Sequence, residues 1–98
     1  MTVDIGTLIE KTPGVVGGRP RIAGSRIAVD HIAMLWRRGY SAEDIVSSVY
    51  EHLDLAGVHA ALAYYFANRD EIDRSIREEE ELGERLAAEQ RAARRMGA

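Results

Sequence analysis

The sequence predicts a mainly α fold: a small N-terminal β-hairpin, then a three- to four-helix bundle of the helix-turn-helix kind with a protruding C-terminal helix. Three observations carry this expectation. Apolar residues recur at helical spacing in short segments after residue 30. Both prolines and most glycines fall in the first forty residues. The stretch after Arg77 is mostly Glu, Arg and Ala. Ninety-eight residues suffice for one domain with one core. We place that domain at residues 1–77 and a charged, helix-prone tail at residues 78–98.

The segment up to about Val16 is weakly patterned: Ile5, Leu8 and Ile9 fit one helical turn, halted by Pro13-Gly14. Gly17-Gly18 and Pro20 punctuate a loop. Two short β-prone runs, Arg21–Ala23 and Arg26–Val29, then flank Gly24-Ser25, and Gly in first place suits a two-residue type II′ turn. Such a hairpin is too small to stand alone and must pack on helices. Asp30 fits an N-cap, Ile32, Leu35 and Trp36 lie at helical spacing, and Gly39 supplies a stop, giving a helix over about 31–38. Ser41 with Asp44 resembles a capping box ahead of a helix over about 42–50, whose buried stripe is Ile45, Val46 and Val49. After a turn at Glu51-His52-Leu53, Asp54 caps a helix in which Leu55, Val58, Leu62 and Tyr65 share a face as far as about Ala67. Asn68-Arg69-Asp70 marks a break, and a last helix starts near Glu71. Its Asp70–Arg74, Asp73–Arg77 and Glu81–Arg85 pairs have the favoured i,i+4 order. Its only large apolar residues past Arg77 are Leu82, Leu86 and Met96, so it protrudes or frays unless a partner covers it.

Composition narrows the function classes. The chain has no cysteine, which excludes disulfides and thiolate metal or redox sites and fits a reducing cytoplasm. Asp4, Glu10 and Lys11 interrupt the only apolar run near the start, so no signal sequence is expected there. No stretch approaches the roughly 18 apolar residues of a membrane span. We therefore expect a cytoplasmic protein without membrane attachment. Net charge is −3 overall. Lys11, Arg19, Arg21, Arg26, Arg37 and Arg38 against Asp4, Glu10 and Asp30 leave residues 1–40 at +3, whereas residues 41–68 hold four acids and no Lys or Arg. A nucleic-acid surface must draw on the first forty residues.

The helix pair at about 42–67 has the layout of a helix-turn-helix, although periodicity alone fits a generic three-helix bundle at least as well. The second helix of the pair offers His59 and Tyr64 but no Lys, Arg, Asn or Gln before Asn68, whereas base readout and phosphate neutralisation rely on such side chains. The candidate DNA-contacting set is therefore Arg19, Arg21 and Arg26 around the hairpin, Arg37 and Arg38, with His59 and Tyr64 on the helix. Arg19 and Arg21, beside glycines and a proline, are expected to face solvent or phosphate. Arg26 has a rival reading as a partner of Glu43 or Asp44. Catalysis finds no support, and we expect no enzyme and no cofactor. Gly18 to Gly24 is one residue too long for a phosphate loop, and no Lys follows. His31, His52 and His59 lack metal-ligand spacing, and no serine carries a nucleophile signature. Trp36, Tyr50, Tyr64, Tyr65 and Phe66 exceed what three short helices bury easily, which points to a homodimer.

The run Pro13–Val29, with Gly17-Gly18-Arg19-Pro20-Arg21-Ile22-Ala23-Gly24-Ser25-Arg26, closely resembles the opening of the bacterial family known as domain of unknown function 433. The likeness continues through Gly39–Ile45 and Leu53–Tyr65, and spans about residues 5–76. Ser25 stands where the family usually has Thr, and the Glu/Arg/Ala tail lies outside the matched region. The resemblance implies a helix-turn-helix fold related to homeodomain-like modules. It also implies an antitoxin role beside a toxin with a PIN-like nuclease fold, and we expect the globular part to dimerise and bind operator DNA for autoregulation. On that reading Glu81, Leu82, Arg85, Leu86 and Arg91 of the tail are the toxin-binding candidates, as mimics or clamps at a metal-dependent nuclease site. The alternative is a dimeric interaction module that binds a protein partner and no DNA.

Overall fold

The computed structural model describes residues 2–97 and is mainly helical. A 3-10 turn (Ile5–Leu8) leads into β1 (Ile9–Glu10), which pairs antiparallel with β2 (Arg21–Ile22), Ile9 opposite Ile22 and Glu10 opposite Arg21. Four helical elements follow: α1 (Val29–Arg37), α2 (Ala42–Asp44, continuing as a π turn over Ile45–Val49), α3 (Leu55–Ala67) and α4 (Arg69–Gly97). The expected small β element is present, but the expected turn is different. The ladder partner of Arg21–Ile22 is the upstream strand, whereas toward the downstream run there is an isolated bridge between Arg21 and Ala28, with the Ile22 amide donating to the Ile27 carbonyl. The turn is closed by the Ser25 N–H on the Ile22 carbonyl, with Gly24 third rather than second, and the Ser25 hydroxyl bonds that carbonyl as well.

Capping residues place the helices. Gly39 terminates α1 in a Schellman arrangement, the Gly39 and Tyr40 amides returning to the carbonyls of Trp36 and Leu35. Ser41 and Asp44 form the reciprocal capping box at 3.0 Å in both directions. Asp54 caps α3 by accepting from the Gly57 amide at 2.8 Å. Asp30 does not cap α1: Ala28 occupies that position without a side-chain bond, and Asp30 turns into the protein, fully buried. The break before the last helix is confined to Asn68, whose side-chain amide donates to the Tyr64 carbonyl, so α4 begins two residues earlier than its pattern suggested.

α3 is the hub, touching α1, α2, α4 and both strands. Its small residues Gly57, Ala60 and Ala61 are buried together with Val58 and Tyr65. Ile22, Val29, Ile32, Ile45 and Leu53 complete the centre of the core, each worth roughly 1.5–3 kcal/mol on burial. α4 contributes Ile72 and Ile76 and no other buried residue. At 29 residues it is about 43 Å long, and beyond its anchored first turns it stretches the molecule to 61 Å in one direction. None of the three expected i,i+4 pairs along α4 is formed; Asp73 instead accepts from the Tyr65 hydroxyl at 2.8 Å and lies 3.9 Å from Arg37.

Candidate interaction surfaces

The sequence of the Gly17-Gly18 loop determines where Arg19 goes. Val16, Gly17 and Gly18 all have positive φ (48°, 66° and 75°), a left-handed turn that two glycines make accessible and that Val16 adopts at a strain cost. This turn folds the Arg19 side chain back: its Nε donates to the Val16 carbonyl at 3.1 Å. Its Nη1 donates to Asp30 Oδ2 at 3.0 Å and also to Glu79 Oε1. Ser75 of α4 donates its hydroxyl to the same Asp30 oxygen, and His31 stands 3.8 Å from the second oxygen of Glu79. Asp30 Oδ1 is buried without a partner. Arg19 is thus a structural cation, which corrects its expected place in solvent.

Arg21 is corrected in the same way. It is buried, with Nη1 on Glu10 Oε2 at 2.7 Å and Nη2 on Thr12 Oγ1 at 3.1 Å. Register explains this, because β1–β2 pairing sets Glu10 opposite Arg21. Arg37 is exposed and near Asp73, whereas Arg26 and Arg38 are exposed and form no ion pair among the described residues, neither Glu43 nor Asp44 reaching Arg26. His59 is exposed on α3. Tyr64 is half-buried and already engaged: its hydroxyl donates to Glu71 at 3.2 Å, and the Lys11 ammonium sits 5.7 Å from its ring centre. The Tyr64 hydroxyl first, and the Glu71 carboxylate after it, hold the Lys11 ammonium above its ordinary pKa. The seven expected DNA-contacting residues are therefore not one surface. Four of them, Arg19, Arg21, Arg37 and Tyr64, are tied to neighbours within the fold, and α3 presents no cation along its exposed face.

The aromatic surplus divides likewise. Tyr65 is fully buried, where burial, followed by its bond to Asp73, pushes its hydroxyl pKa up. Trp36 and Phe66 stack edge-to-face at 4.9 Å and remain partly exposed.

The five tail candidates do lie on one continuous helix. Glu81, Leu82, Arg85, Leu86 and Arg91 are all exposed, Leu82 by 45% and Leu86 by 48%. Positions 75, 79, 82, 86, 89 and 93 recur at alternating steps of four and three, so the leucines continue the side of α4 whose Ser75 and Glu79 meet Asp30 and Arg19. Among the described residues there is no group of three or more His, Asp or Glu able to hold a metal ion. No described helix is long and apolar enough to cross a membrane.

The model of a family described as protein of unknown function (DUF433) matches residues 9–65. The fold is similar to the crystal structure of a DUF433 member protein from Anabaena variabilis ATCC 29413, with a TM-score of 0.66 and 34% identity. That match covers 71% of this chain and 68% of the other. No curated protein matches the chain.

Proposed function

The chain belongs to the DUF433 family, and we propose that this member is a cytoplasmic, non-enzymatic antitoxin-type protein whose distal α4 captures a nuclease toxin of the PIN-like kind. One observation carries the reading. Past Ile76 the helix buries nothing of its own, yet it holds Leu82 and Leu86 in the open among segregated charges. An amphipathic helix laid into a partner groove gains the apolar contact that it lacks when alone. Glu81, Arg85 and Arg91 flank the leucines, and carboxylates or guanidinium groups at these positions suit a carboxylate-and-metal nuclease centre. Removal of residues 78–98 from a co-expressed pair should leave the domain folded and abolish capture and inhibition of the toxin encoded beside it. A truncated chain that still inhibits that toxin refutes the assignment.

A second reading, operator binding by the same domain, is favoured by the capped α2–turn–α3 arrangement with His59 exposed on α3. Its phosphate contacts fall to Arg26 and Arg38, which are exposed and unpaired among the described residues. In binding assays on the chain's own promoter, Arg26→Ala should flatten the salt dependence by about one slope unit, and His59→Ala should alter sequence preference. Wild-type protein that ignores its promoter leaves the interaction-module reading in place.

A further inference from the structure

We propose that in the free protein the distal half of α4 pairs antiparallel with the same segment of a second copy, about a two-fold axis near Leu86. The argument begins with charge. Glu78, Glu79, Glu80, Glu81 and Glu84 precede Leu86, and Arg85, Arg91, Arg94 and Arg95 lie at or beyond its turn with only Glu89 among them. Apart from Glu79, none of these groups forms an ion pair among the described residues. The charges are therefore separated into two blocks and left unmatched within the chain.

The helix macrodipole accounts for Arg94 and Arg95 in the last turn but not for the acidic block. It favours acids in the first turn and bases in the last. The acidic block begins at the tenth residue of a 29-residue helix, well beyond the reach of its N-terminus. A second helix accounts for it directly. Laid antiparallel, it brings its Arg91–Arg95 stretch beside Glu78–Glu81, and the reverse by symmetry; laid parallel, it opposes like charges along the whole length. The same orientation packs Leu86 against its symmetry mate and lays Leu82 over the second copy's helix near Gln90, covering side chains that the fold leaves about half exposed. A closed two-fold contact is the ordinary form of such self-complementary pairing. The inference invokes this chain alone and does not rest on the nuclease reading. A toxin bound through Leu82 and Leu86 then competes with the second copy.

The absence of cysteine makes the geometry measurable on the full-length chain. Under mild oxidation Leu86→Cys should cross-link to itself, whereas Ala93→Cys should not. In an antiparallel pair the two residues 93 lie about 20 Å apart along the axis, seven residues from the centre on opposite sides. Cross-linking at both positions indicates a parallel pair, and at neither a monomer; either result overturns the proposal. Sedimentation equilibrium supplies the second readout. Glu78→Arg with Glu81→Arg should weaken self-association at least tenfold, and adding Arg91→Glu with Arg94→Glu should restore it. Association unchanged by the first pair, or not recovered by the second, also refutes it.

Discussion

Replacement of Arg19 by alanine should destabilise the fold rather than silence a DNA contact. The Asp30 carboxylate is fully buried, one oxygen accepts from Arg19 and Ser75, and the other has no partner. Without the guanidinium, the charge is left facing a single hydroxyl. Removing one member of a buried ion pair costs about 3–5 kcal/mol. The Arg19 side chain is 29% exposed, so water can replace part of what is lost, and we expect about 2–4 kcal/mol. For a domain of this size that is a fall in Tm of roughly 10–25 °C. Asp30→Asn preserves shape and removes the charge, and should cost less, about 1–2 kcal/mol. The double variant Arg19→Ala/Asp30→Asn should be less destabilised than the two single changes together, since it leaves no bare carboxylate. Thermal and urea unfolding followed by circular dichroism would measure all three. Arg19→Ala melting within about 3 °C of wild type would refute the reasoning. A selective loss of DNA affinity in that variant would return Arg19 to the phosphate surface.

Four further outcomes follow from the geometry. Ser41→Ala should cost about 1 kcal/mol in urea unfolding through loss of the N-cap. The Ser41 amide, then its hydroxyl, holds the Asp44 carboxyl below its ordinary 3.8; the resulting stability is present above that value and lost as pH falls through the lower folded one, so Asp44→Asn should blunt acid destabilisation below about pH 4. Because burial and then Asp73 raise the Tyr65 hydroxyl above its ordinary 10.0, its contribution is complete below that value and lost as pH rises through the folded one. Ultraviolet titration should show one of the four tyrosines ionising last, and Tyr65→Phe should remove that step. A Cβ at Gly57 would lie 2.9 Å from Ile22 Cγ2, so Gly57→Ala should lose about 1 kcal/mol net, overpacking exceeding its helix-propensity gain, with Ile22→Ala expected to show a smaller penalty for the same change.

Local chemistry was readable in the sequence, and distant pairing was not. The caps at Ser41 and Asp54 and the stop at Gly39 depend on residues within four positions, and all three stand as expected. Asp30 was misread because an acid ahead of an apolar-periodic segment has the pattern of a cap. Its partners lie 11 and 45 residues away in the chain, a distance at which no spacing rule operates. Gly24-Ser25 announced a turn but not its register, because the competing strand at Ile9–Glu10 is two residues long and carries no alternation. The family was legible in the Gly-rich opening and in the segment Leu53–Tyr65, whose composition is set by close packing around α3.

The internal pairing of Arg19 and the projecting helix are one physical feature. A cation next to glycines reads as free, yet the left-handed turn at Val16–Gly18 exists in this fold with Arg19 folded beneath it. There it bridges Asp30 of α1 and Glu79 of α4, while Ser75 adds a second tie one turn earlier on α4. With Ile72 and Ile76 the only buried side chains of α4, apolar contact ends after its first two turns. The polar tie at Glu79 then extends the anchored region three residues past Ile76, along the stripe that leads to Leu82 and Leu86. Arg19 thus fixes the direction in which the distal half of α4 leaves the domain, and loss of its charge should alter presentation of the tail as well as stability.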